Sequence, residues 1–289
     1  MTLTAPFPPD VEQLRRSLLE NPLPLVTELG PQAAQQMYRE RARALREQWV
    51  VPTAMSVHEL PGAREYRPEV ASDICLVWVH GGGWVLGDVE TADPVARTIV
   101  QLTGWRVVSV DYRLAPQHPF PAAIEDVLAV VDRVDAPRVL IGGDSAGGNL
   151  AAVVAHERSF DGQILIYPCI DPSLTTPSAR DFTEGPFLTR ADMEWFYAQY
   201  AANPVGNPRI DLRTLPVRGW SPTLVYTVGH DPLRDEALAF VERLRAELVP
   251  VEHLHAPELY HGSFGLSGVL PSSHARVQDV WSAATRMWS

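Results

Sequence analysis

Ser145 stands in the stretch GGDSAGGN, residues 142–149, with small residues on both sides. Serine is a weak nucleophile and an ordinary helix N-cap, so its surroundings must decide which role it has here. The preceding RVLIG is β-branched and apolar, and the following AGGNLAAVVAHE has helical texture, which puts Ser145 at a strand-to-helix turn. Residues 143–147 there read G-x-S-x-G, the sharp turn that lifts a serine hydroxyl clear of the backbone at the carboxyl edge of a sheet. Small neighbours let that turn close and a substrate approach. The helix N-terminus behind it offers free N–H groups and positive potential. A capping serine in a glycine-rich turn would show the same letters, so the nucleophile reading depends on partners elsewhere in the chain.

A serine nucleophile needs a base, and a turn of this kind is followed in the chain by an acid and then a histidine. Of nine histidines, six follow Ser145: His156, His230, His253, His255, His261 and His274. His156 lies within the helix after the turn and points away. His253 and His255 alternate in an expected strand, and His274 falls in the last helical segment. His261, in PELYHGSF, occupies a loop after the last strand, where a base must hang over the sheet edge. The acid should leave the carboxyl end of the strand before it. TLVYTVGHDPLRDE places Asp231 there, while Asp235 and Glu236 lie a turn later on a helix, where surface charge is the default. Negative charge developing on a substrate oxygen also needs donors. VWVHGGGWVLGD ends a strand at His80 and continues with three glycines, an entropic cost that makes sense if backbone N–H groups must approach that oxygen closely. The expected donors are the N–H groups of Gly82, Gly83 and Ala146. A phosphate-binding turn is the rival reading of the glycines, but no Lys-Ser or Lys-Thr follows them.

These groups require a sheet to position them. Six short apolar runs, at 74–79, 106–111, 138–142, 163–167, 223–228 and 249–256, read as strands, and their continuous hydrophobicity fits parallel strands buried on both faces. Amphipathic segments alternate with them, which predicts an α/β fold with a mostly parallel sheet. Asp93-Pro94 reads as the start of one helix and Gly104 as its stop. Residues 53–73 leave room for two short strands. Residues 10–49 are helical in pattern with a break at NPLPL. Between 171 and 220 no strand is evident. Thr189 is positioned to cap RADMEWFYAQY with Asp192 in the capping-box position, and Met193, Phe196, Tyr197 and Tyr200 form one face of that helix, a packing stripe or part of a lid.

Taken together, HGGGWVLGDVETAD, VVSVDYRLAPQHPFPAAIEDV, GGDSAGGNLAA, DPLRDEA and HGSF resemble the hormone-sensitive-lipase-like family of α/β hydrolases, bacterial family IV esterases of the HGGG type. The resemblance covers residues 74–264. It implies an α/β-hydrolase sheet flanked by helices, with a lid made of the N-terminal helices and an insertion. It matches Ser145, Asp231 and His261 to the catalytic triad, Gly82, Gly83 and Ala146 to the oxyanion hole, and His80 to a structural role. The chain departs from the family pattern where Ser263 separates Gly262 from Phe264, and residues 53–73 are short for the early antiparallel strands.

Composition narrows the rest. The 289 residues suit one large α/β domain. A formal net charge of −11 argues against nonspecific binding to nucleic-acid phosphates. Cys75 and Cys169 lie in apolar runs and read as buried hydrophobes, and no metal-ligand spacing occurs, so neither cofactor nor metal is expected. No run approaches the roughly 20 apolar residues of a membrane span, and the N-terminus lacks the pattern of a signal peptide, so a cytoplasmic protein is expected. The expected organisation is residues 1–50 as the N-terminal part of a helical cap, 51–170 and 221–289 as the two parts of the hydrolase core, and 171–220 as the cap insertion. The expected function is a serine carboxylesterase for short- to medium-chain esters. A deacylase or acyltransferase using the same residues, or a non-catalytic ligand-binding version of the fold, is the alternative. The expected partner is a small-molecule ester, with no nucleic acid and no membrane span; a homodimer is left open.

Overall fold

The computed structural model describes residues 2–49 and 51–289. In chain order its helices are α1 (Pro9–Glu20), α2 (Val26–Leu29), α3 (Pro31–Arg46), α4 (Val89–Thr103), α5 (Ala122–Val131), α6 (Ala146–Glu157), α7 (Pro177–Asp181), α8 (Arg190–Tyr200), α9 (Arg234–Ala246) and α10 (Pro271–Trp288). The strands are β1 (Met55–Leu60), β2 (Ala63–Pro68), β3 (Ile74–Val79), β4 (Arg106–Val110), β5 (Arg138–Asp144), β6 (Gly162–Ile166), β7 (Thr223–His230) and β8 (Val251–Tyr260). They form one sheet in the order β1-β2-β4-β3-β5-β6-β7-β8. β1 and β2 pair antiparallel, as do β2 and β4, and every pairing from β4 onward is parallel. The two short strands expected before residue 73 are therefore present, as an antiparallel extension of one edge.

β3 shows why the apolar runs are continuous. All six of its residues are buried. Alternate side chains point to opposite faces of a strand, so Ile74, Leu76 and Trp78 join one apolar cluster and Cys75, Val77 and Val79 the other. The first cluster is covered by α4 and α10, with Trp281 set edge-on to Trp78 at 5.9 Å between ring centroids. The second is covered by α5, α6 and α9.

Two local expectations need correction. Asp93-Pro94 does not start α4. The helix begins five residues earlier, where Asp88 accepts the Thr91 N–H at 2.8 Å and Thr91 Oγ1 accepts the Asp88 N–H at 2.9 Å. This reciprocal cap outcompetes the later signal, and Pro94 is carried inside the helix. The stop at Gly104 is as expected, in the left-handed region. Residues 257–260 are not loop: β8 runs to Tyr260, so His261 follows its strand directly. His253 and His255 do lie on that strand, at 2.9 and 2.8 Å from the Thr227 hydroxyl.

α1 to α3 lie outside the sheet, and the boundary expected at residue 50 falls on a residue outside those described. α3 is tied to the core at three points. Gln35 Nε2 donates to the Val85 carbonyl at 2.9 Å, Arg39 pairs with Asp88 at 2.7 Å, and Arg46 pairs with Asp93 at 3.0 Å. Asp93 is 1% exposed and also takes Arg97 at 2.9 Å and the Tyr66 hydroxyl at 3.0 Å. Removing one member of such a buried cluster strands the others. Asp93→Ala should lower unfolding free energy by about 3 kcal/mol, read from urea midpoints, whereas Glu12→Ala, which breaks only the intrahelical pairs with Arg15 and Arg16, should shift the midpoint little.

Candidate active site

The turn at Ser145 is set by a steric conflict between neighbouring strands. β5 lies beside β3, with Val79 opposite Gly143. A Cβ on Gly143 would run into the Val79 carbonyl and Gly147, and a Cβ on Gly147 into the Val79 and His80 carbonyls. α6 can start there only with glycine at both positions. Ser145 between them sits at φ 57°, ψ −120°, a conformation a side-chain-bearing residue rarely adopts. Its N–H donates to Ile166 of β6 at 2.8 Å, which holds the strained turn in place.

The side chains expected to act together do meet. His261 Nε2 lies 2.9 Å from Ser145 Oγ, and His261 Nδ1 lies 2.8 Å from Asp231 Oδ2. The second Asp231 oxygen accepts the Leu233 N–H at 2.8 Å. Asp231 is 1% exposed. A buried carboxylate beside Nδ1 holds the proton on that nitrogen and leaves the Nε2 lone pair facing the serine hydroxyl. The backbone repeats the link, since the His261 N–H donates to the His230 carbonyl at 3.2 Å. The Tyr167 ring packs on the imidazole at 4.3 Å. Among the described residues, the N–H groups of Gly82, Gly83 and Ala146 donate to no protein acceptor, whereas the Gly81 N–H is taken by Asp144 Oδ1 at 3.0 Å. Three unspent donors, one of them at the N-terminus of α6, suit an anionic oxygen. His80 is structural, as the resemblance implied. Its Nδ1 donates to the Gly81 carbonyl at 2.7 Å, Tyr112 stacks on its ring at 4.3 Å, and burial pushes the imidazole below its ordinary range. Such an arrangement can deprotonate a hydroxyl, attack a carbonyl and stabilise the resulting oxyanion.

Sequence reasoning missed a supporting layer. Asp235 and Glu236 are not surface charges. Glu236 is buried, and one of its oxygens accepts the N–H groups of Ile170 and Asp171 at 2.8 and 3.1 Å. Burial pushes its carboxyl well above the usual range. Those residues follow Cys169, whose N–H donates to the Ser145 carbonyl at 3.3 Å and whose Sγ lies 3.9 Å from Ser145 Oγ. Asp235 accepts the Ser178 N–H at 2.8 Å, and Ser178 Oγ donates to the Pro232 carbonyl at 2.9 Å. α9 therefore binds the turn of Asp231 to the loop beneath Ser145 and to α7. The signal was present in the charges of DPLRDE, but burial of a helix face by an insertion is not written in local spacing.

Residues 76–265 match the family described as alpha/beta hydrolase fold. The chain is 38% identical over 251 residues to carboxylic ester hydrolase LipN of Mycobacterium tuberculosis, covering 78% of this chain and 66% of that one. It is 37% identical over 236 residues to carboxylesterase NlhH of the same species, covering 73% of each. A solved structure of a hyperthermophilic esterase from Pyrobaculum calidifontis superposes with a TM-score of 0.87 at 30% identity, over 98% of this chain and 99% of that one. The protein belongs to the α/β-hydrolase family, in its hormone-sensitive-lipase-like branch. Within that branch it is a carboxylic ester hydrolase. No helix among the described residues is long and apolar enough to cross a membrane.

Asp144 gives a test of the electrostatics. Burial raises its carboxyl from 3.8 to about 6. The folded protein holds this proton to higher pH than the unfolded chain, so ionising Asp144 costs stability as pH rises from about 4 to 6. Asn would still accept the Gly81 N–H and carry no such cost. Asp144→Asn should match the wild type near pH 4 and exceed its stability by up to about 3 kcal/mol above pH 6, less what the residual solvent contact of Asp144 recovers. Urea midpoints of both proteins at pH 4 and pH 7.5 check this; a gap that does not widen with pH contradicts it.

Proposed function

We propose that the protein hydrolyses short- to medium-chain carboxylic esters through an acyl-enzyme on Ser145. The observation that carries this reading is the unbroken pair of hydrogen bonds from Ser145 Oγ through the His261 ring to Asp231, at 2.9 and 2.8 Å. His261 takes the hydroxyl proton as Oγ attacks the ester carbonyl. Asp231 holds the tautomer and stabilises the imidazolium. The N–H groups of Gly82, Gly83 and Ala146 receive the oxyanion. The intermediate collapses, His261 returns the proton to the leaving alcohol, and a water activated by His261 releases the acid.

The size preference rests on the insertion. Its helices are short, five residues in α7 and eleven in α8, and neither offers a long apolar face for a lipid chain. We assign α1 to α3 and residues 171–220 to a cap over the acyl side of the site. A cytoplasmic setting belongs to the same proposal; two free, buried thiols are compatible with it.

A panel of p-nitrophenyl esters from acetate to palmitate should show fastest turnover at about two to eight acyl carbons. Faster turnover of palmitate than butyrate would refute the size assignment. Ser145→Ala should lower kcat by roughly four to six orders of magnitude with folding intact. Asp231→Asn should cost roughly ten-thousand-fold in kcat, and Asp235→Asn less than about tenfold, because its hydrogen bonds reach α7 and not the imidazole. The two aspartate variants, measured side by side, identify the acid.

A further inference from the structure

The loop that carries Gly82 and Gly83 is held by contacts from outside the sheet. Gly82, Gly83 and Trp84 have φ of 117°, 60° and 61°, three left-handed residues in a row. Glycine takes this freely, but Trp84 carries a side chain and is strained there. Backbone hydrogen bonds hold the oxygens of this segment. The Gly82 carbonyl accepts from Val85 and Leu86 at 3.1 and 2.8 Å, and the Trp84 carbonyl from Ala115 at 2.9 Å. None of these bonds engages the N–H of Gly82 or Gly83.

Aromatic side chains of α8 pack on the segment from outside the sheet. The fully buried Trp84 ring stacks on Tyr200 at 4.6 Å with 3° between planes, and leans on Tyr197 at 5.0 Å. Phe196 lies against Gly83 so closely that a Cβ on Gly83 would come 2.2 Å from a carbon of its ring. α8 is itself fixed at both ends. Thr189 and Asp192 form a reciprocal cap, and the Tyr200 carbonyl accepts the Phe120 N–H at 2.9 Å.

We propose that Phe196 and Tyr200 are positioning residues for the oxyanion loop: by packing on Gly83 and Trp84 they aim the Gly82 and Gly83 N–H groups at the substrate oxygen. This rests on the oxyanion role proposed above. It gives α8 a part in the chemical step beyond enclosing the acyl chain. A displacement of this helix would then lower the rate even for an acyl group too small to touch it.

The test uses p-nitrophenyl acetate as substrate and an alkyl trifluoromethyl ketone as inhibitor, since the ketone binds as a tetrahedral oxyanion. Phe196→Ala and Tyr200→Leu should lower kcat at least thirtyfold with KM within threefold, and weaken the ketone by a similar factor. Tyr200→Phe should stay within twofold of wild type, because the Tyr200 hydroxyl is buried without a hydrogen-bond partner and only the ring is needed. Near-UV circular dichroism establishes folding, and if Tyr200→Leu does not fold, Phe196→Ala alone decides. Losses confined to KM, unchanged ketone affinity, or damage from Tyr200→Phe equal to that from Tyr200→Leu would overturn the proposal. Failure of the ketone to inhibit the wild type would instead overturn the oxyanion assignment on which it rests.

Discussion

The first turn of α6 must pass against the carbonyl ends of β3. Everything at the site follows from that contact. It admits only glycine at 143 and 147, and it leaves Ser145 in a conformation that the β6 hydrogen bond and the loop of Cys169 must hold. Because β3, β5, β6, β7 and β8 are consecutive neighbours in the sheet, their carboxyl ends form one row. The glycine loop leaves β3, Ser145 leaves β5, the loop with Tyr167 and Cys169 leaves β6, Asp231 leaves β7 and His261 leaves β8. Ser145 and His261, 116 residues apart in sequence, thus come within hydrogen-bonding reach, with the strands fixing their spacing and only short turns left to adjust.

Acids in the site are treated differently according to what surrounds them. Asp231 is buried and is hydrogen-bonded by the imidazole and by a backbone N–H. Asp144 receives one N–H, and burial raises it. Glu236 is buried more completely and favours its neutral form, serving as a hydrogen-bond acceptor for two backbone N–H groups.

The site was legible in the sequence to the extent that its parts follow strand ends. Ser145, Asp231 and His261 each sit just after an apolar run; chain order left six histidines, and its place after the last strand separated His261 from the other five. The glycines at 82 and 83 were legible because three in a row have few other uses. What local pattern could not supply was competition and tertiary cover. Asp88 and Asp93 both resemble helix caps, and only the reciprocal bond with Thr91 decides between them. Asp93 instead serves a buried cluster whose arginines come from three separate elements. Glu236 looks like surface charge until the segment following β6 is laid over it. The aromatic face of α8 was visible, but its partner, Trp84, is more than a hundred residues away, and no periodicity connects them.

The central claim is that Ser145 Oγ, activated through His261, is the attacking atom. The most direct measurement is treatment of the enzyme with an aryl fluorophosphonate, followed by peptide mapping in a mass spectrometer and an activity assay on the same samples. The account predicts one phosphonyl group per chain, on Ser145, with activity lost in proportion to labelling. Labelling of another serine or of Cys169 in step with inactivation, or full occupancy of Ser145 with activity retained, would contradict it.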